Sequence, residues 1–160
     1  MRLHAISIVI FAVFFACQRS ENRYLKRNVK AAEIVGTWTM TPTGVEGLRF
    51  ANHRLHLNAS DHVLVLRSDG SCLYRTFIDP LKTFGADEGY VSSECEWTLG
   101  DVGHQALMIR LQGESSQTLG RYFYFDEENG RLLLWQYAAD PDAWKYVEFA
   151  KQTNNGHATL

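Results

Sequence analysis

The sequence predicts an all-β chain: an eight-stranded antiparallel up-and-down β-barrel over residues 34–151, preceded by an export signal. Three observations predict it. Eight segments in that range read as strands, several with apolar and polar residues alternating as a half-buried strand requires. Asp69-Gly70 and Asn129-Gly130 fall between such segments, where a tight hairpin needs left-handed backbone. Nearly all the connections are short, and none holds an apolar pattern of helical period and helix length. Eight antiparallel strands met in sequence order suit a closed barrel, which leaves no exposed sheet edge. With 160 residues, one domain with a real core is the default; 46% apolar and 12% aromatic residues exclude a disordered chain. A net charge of −2 supplies no basic field for nucleic acid.

Residues 1–16 have the layout of a signal peptide: Arg2 supplies the positive end, and an apolar run from Ala5 to Ala16 is broken only by Ser7. The run is short for a membrane span. Cutting after Ala16 would place Phe14 at the −3 position, where ordinary signal peptidase wants a small residue. Phe14-Phe15-Ala16-Cys17 resembles a degenerate bacterial lipobox, which implies lipidation of Cys17 and anchoring to a membrane the chain does not span. Plain secretion and an uncleaved anchor are the alternatives. The expected location is the cell envelope, lipid-anchored to the outer membrane, or otherwise periplasmic or secreted. Residues 17–33 read as a polar, solvated tether with room for one helical turn around Tyr24 to Ala32. Its Arg19, Arg23, Lys26, Arg27 and Lys30 could also rest on anionic headgroups.

The first strand, Ile34 to Thr41, sets Gly36, Trp38 and Met40 on one face and Val35, Thr37, Thr39 and Thr41 on the other. Pro42-Thr43-Gly44 stops it. Residues 45–61 admit a long loop, a short helix or an irregular strand at Leu55 to Leu57. His62–Arg67 and Ser71–Ile78 form the clearest hairpin. A two-residue turn would set Cys72 beside Arg67. A three-residue turn with Gly70 left-handed sets Cys72 and Tyr74 beside Leu66 and Leu64, and its more apolar face is preferred. Asp79 to Gly89 is a long connection. In Tyr90–Gly100, Cys95, Trp97 and Leu99 alternate with Glu94, Glu96 and Thr98, which leaves Arg75 outside near Glu94 as a surface pair. Strands then run through Leu107–Gln112, Arg121–Asp126, Arg131–Tyr137 and Trp144–Lys151; residues 152–160 read as a disordered tail. With Cys17 taken by lipid, Cys72 and Cys95, on apolar faces of neighbouring strands of an exported chain, make one disulfide.

Gly36-Thr37-Trp38 resembles the Gly-x-Trp signature on the first strand of lipocalin-like barrels, and the meander and strand count extend the resemblance over most of residues 34–151. The Thr-Asp-Tyr motif of larger lipocalins is not evident, and Lys151 only loosely matches the basic residue that packs over the first-strand Trp. The resemblance is therefore to small bacterial lipocalin-like lipoproteins. It implies a carrier of a small hydrophobic molecule.

Trp38, Leu64, Leu66, Tyr74, Trp97, Leu107, Ile109, Phe123 and Phe125 are the expected inward residues and candidate ligand contacts, with Leu99, Leu132 and Leu134 beside them. For any one of these side chains, core packing is the ordinary role. The parity of residues 121–137 is open, because Tyr122, Tyr124, Leu133 and Trp135 make an equally greasy opposite face. His53, His56, His62 and Asp61 match no metal-site spacing, so no metal is expected. His104 and the Asp126-Glu127-Glu128 cluster read as solvated turn residues. No nucleophile elbow surrounds Ser115-Ser116 and no phosphate-binding glycine loop is present, so neither catalysis nor a cofactor is expected. Two functions fit: a membrane-anchored barrel that binds a small hydrophobic ligand, or a filled barrel whose loops bind or inhibit an envelope protein.

Overall fold

The computed structural model describes residues 23–51, 58–77, 91–111, 121–138, 142 and 145–152. The export signal and Cys17, Leu55 to Leu57, His53 and His56, Ser115-Ser116 and residues 153–160 lie outside these. Eight strands close into one antiparallel barrel in sequence order: β1 (Gly36–Met40), β2 (Val63–Leu66), β3 (Ser71–Phe77), β4 (Val91–Asp101), β5 (Gln105–Leu111), β6 (Arg121–Glu128), β7 (Arg131–Tyr137) and β8 (Tyr146–Lys151). β8 pairs with β1 through Trp38 opposite Lys151 and Met40 opposite Phe149, which completes the ring. The predicted fold class is therefore present. Among the described residues, three short helical pieces accompany it: α1 (Ala31–Ile34), α2 (Pro42–Ala51) and a 3-10 turn (Ala59–Asp61).

The hairpin between β2 and β3 adopts the three-residue turn. Gly70 has φ +85°, and Leu66 faces Cys72 while Leu64 faces Tyr74. The next hairpin stitches onto this turn, because the Trp97 amide donates to the Gly70 carbonyl at 2.8 Å and its indole to the Arg67 carbonyl at 2.9 Å. Cys72 and Cys95 are opposite one another, with Cα atoms 4.7 Å apart, and are bonded. Glu94 lies on the outer face as expected, but the ion pair on its carboxylate is to Arg67 at 3.3 Å, not Arg75. Leu73, not Arg75, sits opposite Glu94, and Arg75 is two residues further on, opposite Val63.

Two segments depart from the sequence reading. Pro42-Thr43-Gly44 does stop the first strand, but as the first turn of α2, the short-helix alternative for this region. Thr41 is its N-cap, its hydroxyl accepting the Gly44 amide at 3.1 Å, and Pro42 occupies the first helical position, where no amide donor is needed. α2 runs along β8 where β1 ends. A Cβ on Gly47 would overlap the Tyr146 carbonyl oxygen, and one on Gly44 would meet the Glu148 backbone. Gly47→Ala should therefore lift α2 off β8 and destabilise the protein by about 1–3 kcal/mol, read as a lowered urea midpoint.

The second departure is the tether. Residues 23–30 do not float; they strap the outer wall. β6 continues past the end of its pairing with β5, and the strap fills the vacated edge. The Leu25 amide donates to the Phe125 carbonyl at 2.9 Å, while Gln105 receives the Val29 amide at 2.6 Å and donates back to the Val29 carbonyl at 2.9 Å. α1 then tucks under the lower end of the barrel. Its Glu33 carboxylate accepts the Lys30 amide, its Ile34 carbonyl accepts the Trp38 indole N–H at 2.8 Å, and its Glu33 carbonyl accepts Lys151 Nζ at 2.7 Å. Gly36, at φ +137°, lets Lys151 pass: a Cβ there would meet the lysine Cε at 3.0 Å.

Candidate functional site

The barrel interior is the candidate site. Alternation places Trp38, Leu64, Leu66, Cys72, Tyr74, Cys95, Trp97, Leu107, Ile109, Phe123, Phe125, Leu134, Val147 and Phe149 in one buried cluster, so all nine of the expected inward residues do point inward. The register settles the open parity. Leu107 faces Phe123 and Phe125 faces Leu134, which sends Tyr124, Leu133 and Trp135 outward. Tyr74, Phe123 and Phe149, from three separate strands, meet across the middle with ring centroids 5.8–6.4 Å apart. Below this ring layer lie Trp38, Leu66 and Phe125, sealed underneath by α1 and Lys151.

The end above the ring layer is more polar than the sequence reading anticipated. His62, read as the first residue of the second strand, is only 1% exposed; its carbonyl accepts the Met40 amide at 3.2 Å. Arg121 faces Ile109 and shares the parity of Phe123 and Phe125, so it belongs to the inner face. Gln136 follows Leu134 by two and Ser93 precedes Cys95 by two, on the same inner face. Val45 and Leu48 of α2 join the core at this end. Arg121 is an inner-face residue that the sequence reading did not place, because the parity of residues 121–137 was open until the register fixed it.

A second cluster lies outside the barrel. Trp135 points outward yet is fully buried, because Tyr24, Tyr124, Tyr137 and Tyr146 surround it at centroid distances of 5.1–5.3 Å from its ring, with the Arg23 guanidinium 4.2 Å over Tyr146 and 5.1 Å over Trp135. Arg23 also pairs with Glu148, 7% exposed, and with Asp126 at 3.5 Å; the other oxygen of Glu148 accepts the Thr41 hydroxyl at 2.7 Å. Arg27 bridges Glu33 and Glu127 at 2.7 and 3.0 Å. Two of the three acidic residues expected to be solvated therefore hold the strap. His104 is exposed, as expected, and stacks one face on Tyr24 at 3.8 Å. Burial, and then a hydrogen bond with Tyr137, raise the Tyr24 phenol far above its ordinary range, so it stays protonated.

Arg23→Met should release the strap, at a cost of about 1–2 kcal/mol for this half-buried pair, and speed amide exchange at Leu25 and Val29. Desolvation lifts the Asp126 carboxyl above its ordinary value despite Arg23. A raised carboxyl means that the folded state holds the proton more tightly than the unfolded chain. Its contribution therefore favours folding below the unfolded value and falls as pH rises through the folded one. Asp126→Asn should remove that penalty and give a slightly higher Tm at pH 7, with a smaller difference at pH 4.

Among the described residues, no three His, Cys, Asp or Glu side chains converge as a metal site. Fold and interior together define a class: a closed, disulfide-bonded, antiparallel eight-stranded barrel with an apolar inner wall and a strapped outer one. No protein-family model, curated protein or solved structure matches the chain.

Proposed function

We propose that this is a non-catalytic, lipocalin-like envelope lipoprotein that holds a small hydrophobic ligand inside its barrel. The observation that carries the reading is the largely apolar inner wall, to which all eight strands contribute and which is sealed at the lower end by α1, Trp38 and Lys151. The pairing of Cys72 with Cys95 supports export, since such bonds persist in oxidising compartments, and it leaves Cys17 as the thiol free for lipid. The neutral fluorophore N-phenyl-1-naphthylamine should bind the exported protein saturably, at one site, and a lipophilic species should accompany the protein in native mass spectrometry. Absence of both would overturn the ligand reading. For the anchor, labelled palmitate should be incorporated by the wild type and not by Cys17→Ser; equal labelling, or none, would overturn it.

A second reading has its own observation. The three rings meeting across the middle of the barrel favour a filled interior, and with it a protein that acts through its loops on another envelope protein. A saturable neutral fluorophore would count against this reading. A stoichiometric partner captured by the wild type and lost on deletion of residues 52–57 would support it.

A further inference from the structure

We infer that residues 23–34 are a gate at the lower end of the barrel, latched by Arg23, and that the hydrophobic ligand enters and leaves there. This rests on the interior-binding reading and adds its route of entry. The strap and α1 form one piece: Arg27 pairs with Glu33 at 2.7 Å, and the Glu33 carboxylate accepts the Lys30 amide at 2.8 Å. Ile34, wholly buried, is the part that stops the barrel, its carbonyl on the Trp38 indole. The piece precedes β1, so a single chain link, Val35-Gly36, joins it to the sheet. Gly36, at φ +137° and without a side chain, is a pivot at that link.

Among the described residues, one backbone–backbone bond, from the Leu25 amide to the Phe125 carbonyl, ties this piece to the wall. Its other polar contacts with the barrel run through side chains: Arg23 to Glu148 and Asp126, Tyr24 to Tyr137, Arg27 to Glu127, Gln105 to Val29, Trp38 to Ile34 and Lys151 to Glu33. Arg23 is the hold farthest along the chain from the pivot, with two carboxylates and two rings around its guanidinium, which makes it the latch. At the upper end α2 is fixed differently. It lies in the chain between β1 and β2, and at Gly44 and Gly47 its backbone approaches that of β8 more closely than a Cβ allows. Of these two helices, the lower is the one free to swing as a unit. Swinging it takes the Ile34 carbonyl from Trp38 and the Glu33 carbonyl from Lys151, and so opens the lower seal without breaking a rung between strands.

The test is stopped-flow binding of N-phenyl-1-naphthylamine to the exported protein. A latch outside the site alters the rates and not the affinity. Arg23→Met should therefore raise the association and dissociation rate constants together, each about tenfold, the scale of a lost half-buried ion pair, and leave Kd unchanged. Arg27→Met, at an exposed position, should raise both by a smaller factor, and it keeps the test decisive should Arg23→Met fail to fold. If a co-purified lipophile occupies the barrel, its rate of displacement by the fluorophore is read instead, with the same expectation. Unchanged rates in both arginine variants, a shift in Kd without parallel changes in the two rates, or faster exchange in Gly47→Ala alone would overturn the gate and leave the interior-binding reading standing. A wild type that neither binds the fluorophore nor carries a lipophilic species would overturn both.

Discussion

Replacing Trp38 with alanine should destabilise the barrel by about 3–5 kcal/mol, a large share of the stability of a domain this size. The side chain is wholly buried and lies at the lower end of the interior, where β1 is paired on both sides. Its removal opens a cavity among residues from opposite walls that the closed sheet cannot collapse to fill. It also removes the indole donor from the Ile34 carbonyl, at the end of α1. The two effects separate experimentally. Trp38→Phe keeps most of the volume and loses the hydrogen bond, so it should cost roughly 1–2 kcal/mol, mostly for the carbonyl left without its donor. Urea unfolding should show a lowered midpoint for both, at similar slope. A loss under about 1 kcal/mol for the alanine variant would mean that Trp38 does not seal the lower end.

What was legible in the sequence follows from what has a short period. Strand faces repeat every two residues, so Cys72, Tyr74, Trp97, Leu107 and Ile109 could be placed inside from alternation and one turn choice alone. The barrel's closure was legible because eight strands in a row with short links leave few other ways to pair. Two things were not. Residues 121–137 are apolar on both faces, and only the strap explains why: Tyr124 and Trp135 are outer-wall residues buried by Arg23 and Tyr24 from a distant part of the chain. A segment rich in charge looks solvated until its partners, Glu148, Asp126 and Glu127, are known to lie on the wall beside it. Arg121, whose parity follows that of Phe123, could not be placed for the first of these reasons. In α2, Thr41-Pro42 carried a cap signal, but Gly44 and Gly47 weaken a helix in isolation and gain their meaning only from the approach of β8.

The strap and α2 solve one problem at two places. A barrel of unequal strands leaves backbone groups unpaired wherever one strand outruns its neighbour. Residues 23–30 cover the excess of β6 over β5, and α2 with Thr41 covers the excess of β8 over β1, with the Thr41 amide on the Glu148 carbonyl at 2.9 Å. Glu148 joins both devices, through Arg23 on one side and the Thr41 hydroxyl on the other. Glu148→Gln should therefore weaken both coverings, whereas Arg23→Met should weaken one.

Converting Cys72 and Cys95 together to alanine should cost about 3 kcal/mol, and the size of that loss is set mainly by the unfolded chain. The bond closes a loop across a sequence separation of 23 residues, for which the chain-entropy model gives a value close to this figure. In the folded protein the two residues are already held opposite one another by the pairing of β3 with β4, which runs from Ser71 opposite Glu96 to Phe77 opposite Val91, with one irregularity after Tyr74. The ladder should survive the substitution, and the far-ultraviolet spectrum should be unchanged. The unfolded ensemble, freed of its cross-link, should expand and expose more surface, so the urea slope should rise as the midpoint falls. A loss of similar size with an unchanged slope would instead point to the packing of the two buried sulfurs. If reduction of the wild type reproduces the alanine variant in both midpoint and slope, the stability of the barrel depends on an oxidising compartment. A wild type equally stable with and without reductant would remove that dependence, and with it the main structural support for export.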